Sequence, residues 1–181
     1  MATTAETGLR ERREAIVREH VETENRHQPA ATLRTFERPR YELIATDEVI
    51  DGSEAVAAMY EETYTAFPDF HATPLHFHHA DDAVIMEAAI SATHKGPYRG
   101  LPPTGRRIEL RGCAVFVFED DRLVCERVYG DAASLLRQLG VARDPQSIAG
   151  KLEMVIAHPL RIGRALLRGR RRQAKGDFSA E

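Results

Sequence analysis

The 181-residue chain is 43% hydrophobic and 29% charged with a formal charge of −3, which is the usage of an ordinary globular domain long enough to bury a core. From Val141 onward nine Lys or Arg stand against four Asp or Glu, so that segment is +5 and the first 140 residues are −8, a balance that excludes nucleic-acid binding by the main body. No run of about 18 apolar residues exists, and the first residues lack the basic and apolar regions of a signal peptide, so a cytosolic protein without a spanning helix is expected.

Residues 7–27, rich in Arg and Glu with Leu9, Ala15, Ile16 and Val21 as thin apolar content, predict a long surface helix lying over the open side of a fold. Pro29 can start a second, short helix over Ala30 to Phe36. Short strands follow at Arg40 to Ile44 and Val49 to Ile50. Asp51-Gly52 is a turn, and Ser53 is placed to cap a helix whose apolar positions Val56, Met59, Tyr60, Tyr64 and Phe67 keep the 3.6-residue period. Pro68-Asp69 stops that helix.

Four strands come next, at His71 to His79, Ala83 to Lys95, Arg107 to Glu119 and Arg122 to Asp131. Asp81-Asp82 and Asp120-Asp121 mark tight turns, and Gly96 to Gly105 a longer one. The pattern is an α+β arrangement, a curled antiparallel sheet fed by N-terminal helices. With Glu119 facing Arg122, Cys125 falls opposite Phe116 and too far from Cys113 for a disulfide. After a linker over 142–146, Pro159 divides a helical segment ending near Arg172. Its second half gathers Leu160, Ile162, Leu166 and Leu167 on one side and Arg161, Arg164, Arg168 and Arg172 on the other. Such a helix packs on protein or lies on an anionic membrane. Residues 173–181 are expected to be disordered.

Strict alternation along the last strand puts Leu123, Cys125, Arg127, Tyr129 and Asp131 on one face, the expected working surface. Asp131 there is either a general base or the N-cap of the helix that follows. Arg127 would keep it ionised, and Arg127 or Tyr129 could stabilise an enolate oxygen. His94, at the mouth of the long turn, could shuttle a proton or bond a carbonyl. Glu87 is a pocket acid or the partner of Arg127. Tyr60 and Tyr64 are pocket hydroxyls or core aromatics. His76 and His78 share a strand face, but no third ligand is placed beside them, so no metal site is expected. Nucleophile and phosphate-loop motifs are absent, which leaves acid and base chemistry without a cofactor.

The runs Ala66-Phe67-Pro68-Asp69-Phe70, Thr93-His94-Lys95-Gly96-Pro97, Gly100-Leu-Pro-Pro-Thr-Gly-Arg-Arg, Glu126-Arg-Val-Tyr-Gly-Asp and Leu135-Leu-Arg-Gln-Leu-Gly resemble the SnoaL-like polyketide cyclase (ester cyclase) group of the NTF2-like superfamily over roughly residues 10–141. The resemblance implies a cone of curved antiparallel sheet closed by N-terminal helices, an apolar cavity inside, and a dimer or higher oligomer formed through the sheet; a homodimer is expected here, with Phe67 among the pocket residues. It also implies an acid/base Asp at the end of the last strand, here Asp131, that closes rings by aldol addition without cofactor or metal. The domain then spans 1–141, followed by a basic helical extension over 142–172 and the tail. The expected activity is ring closure or isomerisation of an apolar carbonyl compound. A non-catalytic carrier of an apolar ligand, and epoxide hydration using Glu87 beside Asp131, are the alternatives. The 160–172 helix could add a membrane or partner contact.

Overall fold

A computed structural model describes residues 4–157 except 145, together with 159. The basic segment 160–172 and the tail 173–181 lie outside the described residues. The chain divides into two compact units, Met1–Gly140 and Val141–Glu181.

In the first unit six strands form one sheet: β1 (Arg40–Leu43), β2 (Glu48–Asp51), β3 (His71–His79), β4 (Ala83–Thr93), β5 (Arg107–Glu119) and β6 (Arg122–Gly130), in the order β2-β1-β6-β5-β4-β3. Neighbours are antiparallel except β1 and β6, which run parallel with Tyr41 opposite Glu126 and Glu42 opposite Arg127. The expected all-antiparallel sheet is corrected at that one seam. Its cause is the chain between Gln28 and Arg40, which carries β1 back to the far edge of the β3–β6 meander.

Four helices accompany the sheet: α1 (Thr4–Asn25), α2 (Pro29–Leu33), α3 (Ser53–Ala66) and α4 (Ala132–Leu139). The second is shorter than the sequence suggests, because Phe36 leaves the helix to bridge Leu123. Ser53 is the first helical residue of α3, and Gly52, at φ 92, is the N-cap with no side-chain cap bond. α1 does not merely float on the surface. It buries Arg13, Val17, His20 and Val21, a stripe at helical spacing, against a core that includes Phe36, Tyr41, Tyr60, Val84, Phe116 and Leu123. Arg13 is held by its donors, with Nε to Asp120 O at 2.7 Å and Nη1 to Asp81 O at 2.8 Å, so one side chain ties down both hairpin turns.

One irregularity decides which side chains face the helices. Between β5 and β6 the register reads Phe118 to Leu123 and then Val117 to Cys125, so Val124 is an extra residue, a β-bulge. Cys125 therefore lies opposite Val117, not Phe116 as expected. Past the bulge the faces exchange. Leu123 points inward beside Phe118, but Glu126 and Val128 are the inward residues farther on. Cys125, Arg127 and Tyr129 turn to the outer face.

A second apolar cluster holds Ala66, Phe67, Ala92, Ile108 and Leu139. The loop after β4 is fastened there, because the N–H groups of Lys95 and Gly96 both donate to Ala66 O, at 2.8 and 3.1 Å. A side chain at Gly96 would meet Thr65 O at 2.2 Å, so that approach requires glycine. The second unit contains α5 (Ile148–Ala157).

Candidate functional site

The bulge places the expected site residues on two different surfaces. Arg127 and Tyr129 stand on the outer face, where Arg127 Nε donates to Glu42 Oε2 at 2.8 Å and Tyr129 is 45% exposed. The partner of Arg127 is thus Glu42 across the parallel seam, and this contact holds the Glu42 carboxyl below its usual range, helped by Arg40. Glu87 also faces outward, with His78 Nε2 3.3 Å from its Oε1. It is neither in a pocket nor paired with Arg127, which removes the second pocket carboxylate that epoxide hydration required.

Asp131 is the exposed N-cap of α4, accepting from Ser134 N at 2.9 Å and from the Ser134 hydroxyl. Those bonds, with Arg137 nearby, lower its pKa. Removing the cap frees helix amides to solvent. Asp131→Ala therefore lowers the melting temperature by roughly 2–4 °C, measurable by calorimetry, whereas Asp131→Asn, which can still accept, changes it less.

His94 lies just beyond β4 and is fully buried, not at a loop mouth. Its Nδ1 accepts the Thr104 N–H at 3.2 Å, its backbone N–H donates to Arg106 O, and its carbonyl accepts from Gly105. The ring lies 5.2 Å from Phe67. With Nδ1 accepting, the proton sits on Nε2, which has no partner among the described residues. The local consequence is a pinned 94–106 loop. Phe67 itself is packed in the second apolar cluster.

The polar groups that do converge lie under the inner face. His20 from α1, Tyr41 from β1, Tyr60 from α3 and Glu126 from β6 are all 5% exposed or less. His20 Nε2 is 3.0 Å from the Tyr41 hydroxyl and 3.1 Å from Glu126 Oε2. The Tyr41 and Tyr60 hydroxyls bond each other. On the far side of the ring, Thr35 Oγ1 donates to Thr32 O at 2.6 Å, so the 2.7 Å contact to His20 must be donated by Nδ1–H. Nε2 is then the nitrogen that gains or loses a proton beside Glu126. Burial disfavours the imidazolium, but Glu126 and then Glu24 outweigh it and raise the His20 pKa.

Glu24, one helical turn after His20, is pushed up to about 7, first by burial and then by repulsion from Glu126. Burial raises the Tyr41 and Tyr60 pKa values well above 10, and the nearby carboxylates add to it. Tyr64 stacks on Tyr60 with ring centroids 5.5 Å apart and donates to Glu24 O at 3.0 Å. Glu24 and Tyr64, only half-buried, form the edge of the cluster nearest solvent. The arrangement is a proton-holding set, in which the Glu24 carboxyl near pKa 7 and the His20 imidazole lie beside the Glu126 side chain and neutral hydroxyl donors.

Of the residues expected from sequence, only Tyr60 and Tyr64 belong to this set. His20, Glu24, Tyr41 and Glu126 were missed. The available signal was the His20 to Glu24 spacing, which continues the Arg13-Val17 stripe of α1.

A single curved sheet covered on one face by helices is the architecture of NTF2-like folds. Residues 14–139 match the SnoaL-like polyketide cyclase family, and the chain belongs to it. IdmH from Streptomyces antibioticus, a candidate polyketide cyclase, superposes with a TM-score of 0.57 at 24% identity, covering 71% of this chain and 99% of that one. A protein with a ketosteroid isomerase-like fold from Catenulispora acidiphila, solved with trimethylamine, gives 0.60 at 19% identity over 70% and 92%. An NTF2-like protein of unknown function from Burkholderia pseudomallei gives 0.61 at 18% over 71% and 97%. No curated protein matches. Among the described residues no helix is long and apolar enough to cross a membrane, and no group of three ligating side chains could hold a metal ion. Family and fold together support a small-molecule role of the cyclase or isomerase type.

Proposed function

We propose that the chain is an acid/base enzyme that removes a proton next to a carbonyl in an apolar small molecule, leading to ring closure or a double-bond shift. The observation that carries this reading is the convergence of Glu24, His20 and Glu126 beneath the sheet beside the Tyr41 and Tyr60 hydroxyls. A carboxyl held near pKa 7 is matched to proton abstraction at neutral pH. Neutral hydroxyls in a dry site are suited to an enolate oxygen. Glu24 is the proposed base, since it is the carboxyl nearest solvent. Asp131, at the strand end, is the competing base, and its solvation and depressed pKa make it the weaker one.

The test needs no knowledge of the natural substrate. Solvent deuterium uptake at the α-carbon of a panel of cyclic β-keto esters is followed by NMR. Catalysed exchange is expected in the native chain and in Asp131→Asn, with a loss of roughly 100-fold or more in Glu24→Gln. Exchange abolished by Asp131→Asn and retained in Glu24→Gln would return the chemistry to the strand end. Tight binding with no exchange in any variant would favour a ligand carrier.

A further inference from the structure

α5 carries an apolar stripe that the first unit's chemistry does not use. Ile148, Leu152, Val155 and Ile156 are 89%, 60%, 47% and 70% exposed. Their i, i+4, i+7, i+8 spacing puts them on one side of the helix. Scattered exposed apolar residues need no explanation, but a continuous exposed stripe marks a contact surface.

The sequence that follows indicates the occupant. No Asp or Glu occurs between Glu153 and Asp177, and that interval holds Arg161, Arg164, Arg168, Arg170, Arg171, Arg172 and Lys175. Leu160, Ile162, Leu166 and Leu167 are interleaved with the arginines. A nucleic acid would use the arginines and leave the apolar stripe in water. A bilayer with anionic headgroups takes both, since acyl chains receive the apolar side and the surface potential holds the cations.

We propose that the second unit seats this protein on an anionic lipid surface, with Ile148, Leu152, Val155 and Ile156 entering the headgroup boundary and the 161–175 arginines and lysine neutralising it. The contact is peripheral and reversible, and it brings the enzyme domain to where apolar molecules partition.

The full chain is floated with vesicles of pure phosphatidylcholine and with vesicles holding about 30 mol % phosphatidylglycerol. Binding to the anionic vesicles is expected to exceed binding to the neutral ones roughly tenfold or more and to weaken as salt rises from about 0.05 to about 0.5 M. Leu152→Asp with Ile156→Asp, and separately Arg170, Arg171 and Arg172→Gln, should each reduce it roughly tenfold. Circular dichroism checks that each variant keeps the fold of the native chain. Equal binding to neutral vesicles, or none to either, overturns the proposal. So does undiminished binding by the Asp variant, which would reduce the contact to unspecific charge attraction. If the Asp variant instead splits an oligomer seen by light scattering, the stripe is a contact between copies and the lipid assignment falls. Salt-sensitive binding to a DNA duplex that exceeds vesicle binding overturns it equally.

Discussion

Replacing His20 with alanine is expected to lower the unfolding free energy by about 3–5 kcal/mol, measured by urea denaturation. The side chain is fully buried and its Nε2 is the charged neighbour of Glu126. Without it Glu126 keeps a carboxylate in the interior facing Tyr41 and Glu24 with no cation to offset its desolvation. The loss is compounded by a void between Phe36 and Phe116, whose rings lie 5.1 and 5.4 Å from the imidazole. The partner substitution separates the two causes. In His20→Ala with Glu126→Leu the stranded charge is gone and the void is partly filled, so much of the stability should return. A single variant that loses less than about 1 kcal/mol would mean the pair contributes no more than a surface ion pair.

The second large effect is on pH dependence. The Glu24 pKa is raised from the ordinary 4.5 to about 7, and that of His20 is raised from 6.5. Both groups hold protons more tightly folded than unfolded. Their contribution is fully present below the unfolded pKa values and is lost as pH rises through the folded ones. For Glu24 the window runs from about pH 4.5 to about 7, and for His20 it begins near 6.5 and extends to its raised value. Each group costs up to about 1.4 kcal/mol per pH unit inside its window. The opposite slope lies at acid pH, where Glu14, Glu42 and Asp69, all with lowered pKa values, become protonated. The melting temperature should therefore peak between about pH 4.5 and 6 and fall towards pH 8. In Glu24→Gln the fall should flatten, leaving the His20 part. A native curve that climbs from pH 6 to 8 would contradict the charge assignment of the whole cluster.

The sheet was largely legible in the sequence because its signals are local. Paired aspartates mark the hairpin turns, and β3 and β5 begin and end where the pattern puts them. The interior cluster was not legible, for two physical reasons. The inward stripe of α1 is part polar, with Arg13, His20 and Glu24 at positions that normally reveal a buried face by hydrophobicity. The bulge at Val124 carries no Gly, Pro or Asn to announce it, so alternation counted from Leu123 assigned every later residue of β6 to the wrong side. Glu126 stood one position from the residues chosen. The seam of β1 with β6 joins segments that no local pattern connects, which is why Glu42 was not foreseen as the partner of Arg127, 85 residues away.

That single extra residue at Val124 also has an evolutionary meaning. A one-codon deletion there would restore strict alternation while leaving Cys125 opposite Val117, Glu126 opposite Phe116 and Arg127 opposite Val115, so every side chain beyond it keeps its face. The bulge thus absorbs one residue of length difference at the hairpin end without moving any inward side chain farther along the strand. A fold whose last strand tolerates a bulge at this height can gain or lose a codon near its hairpin tip while the charge beneath the helices stays the same, which uncouples length drift at that turn from the chemistry of the interior.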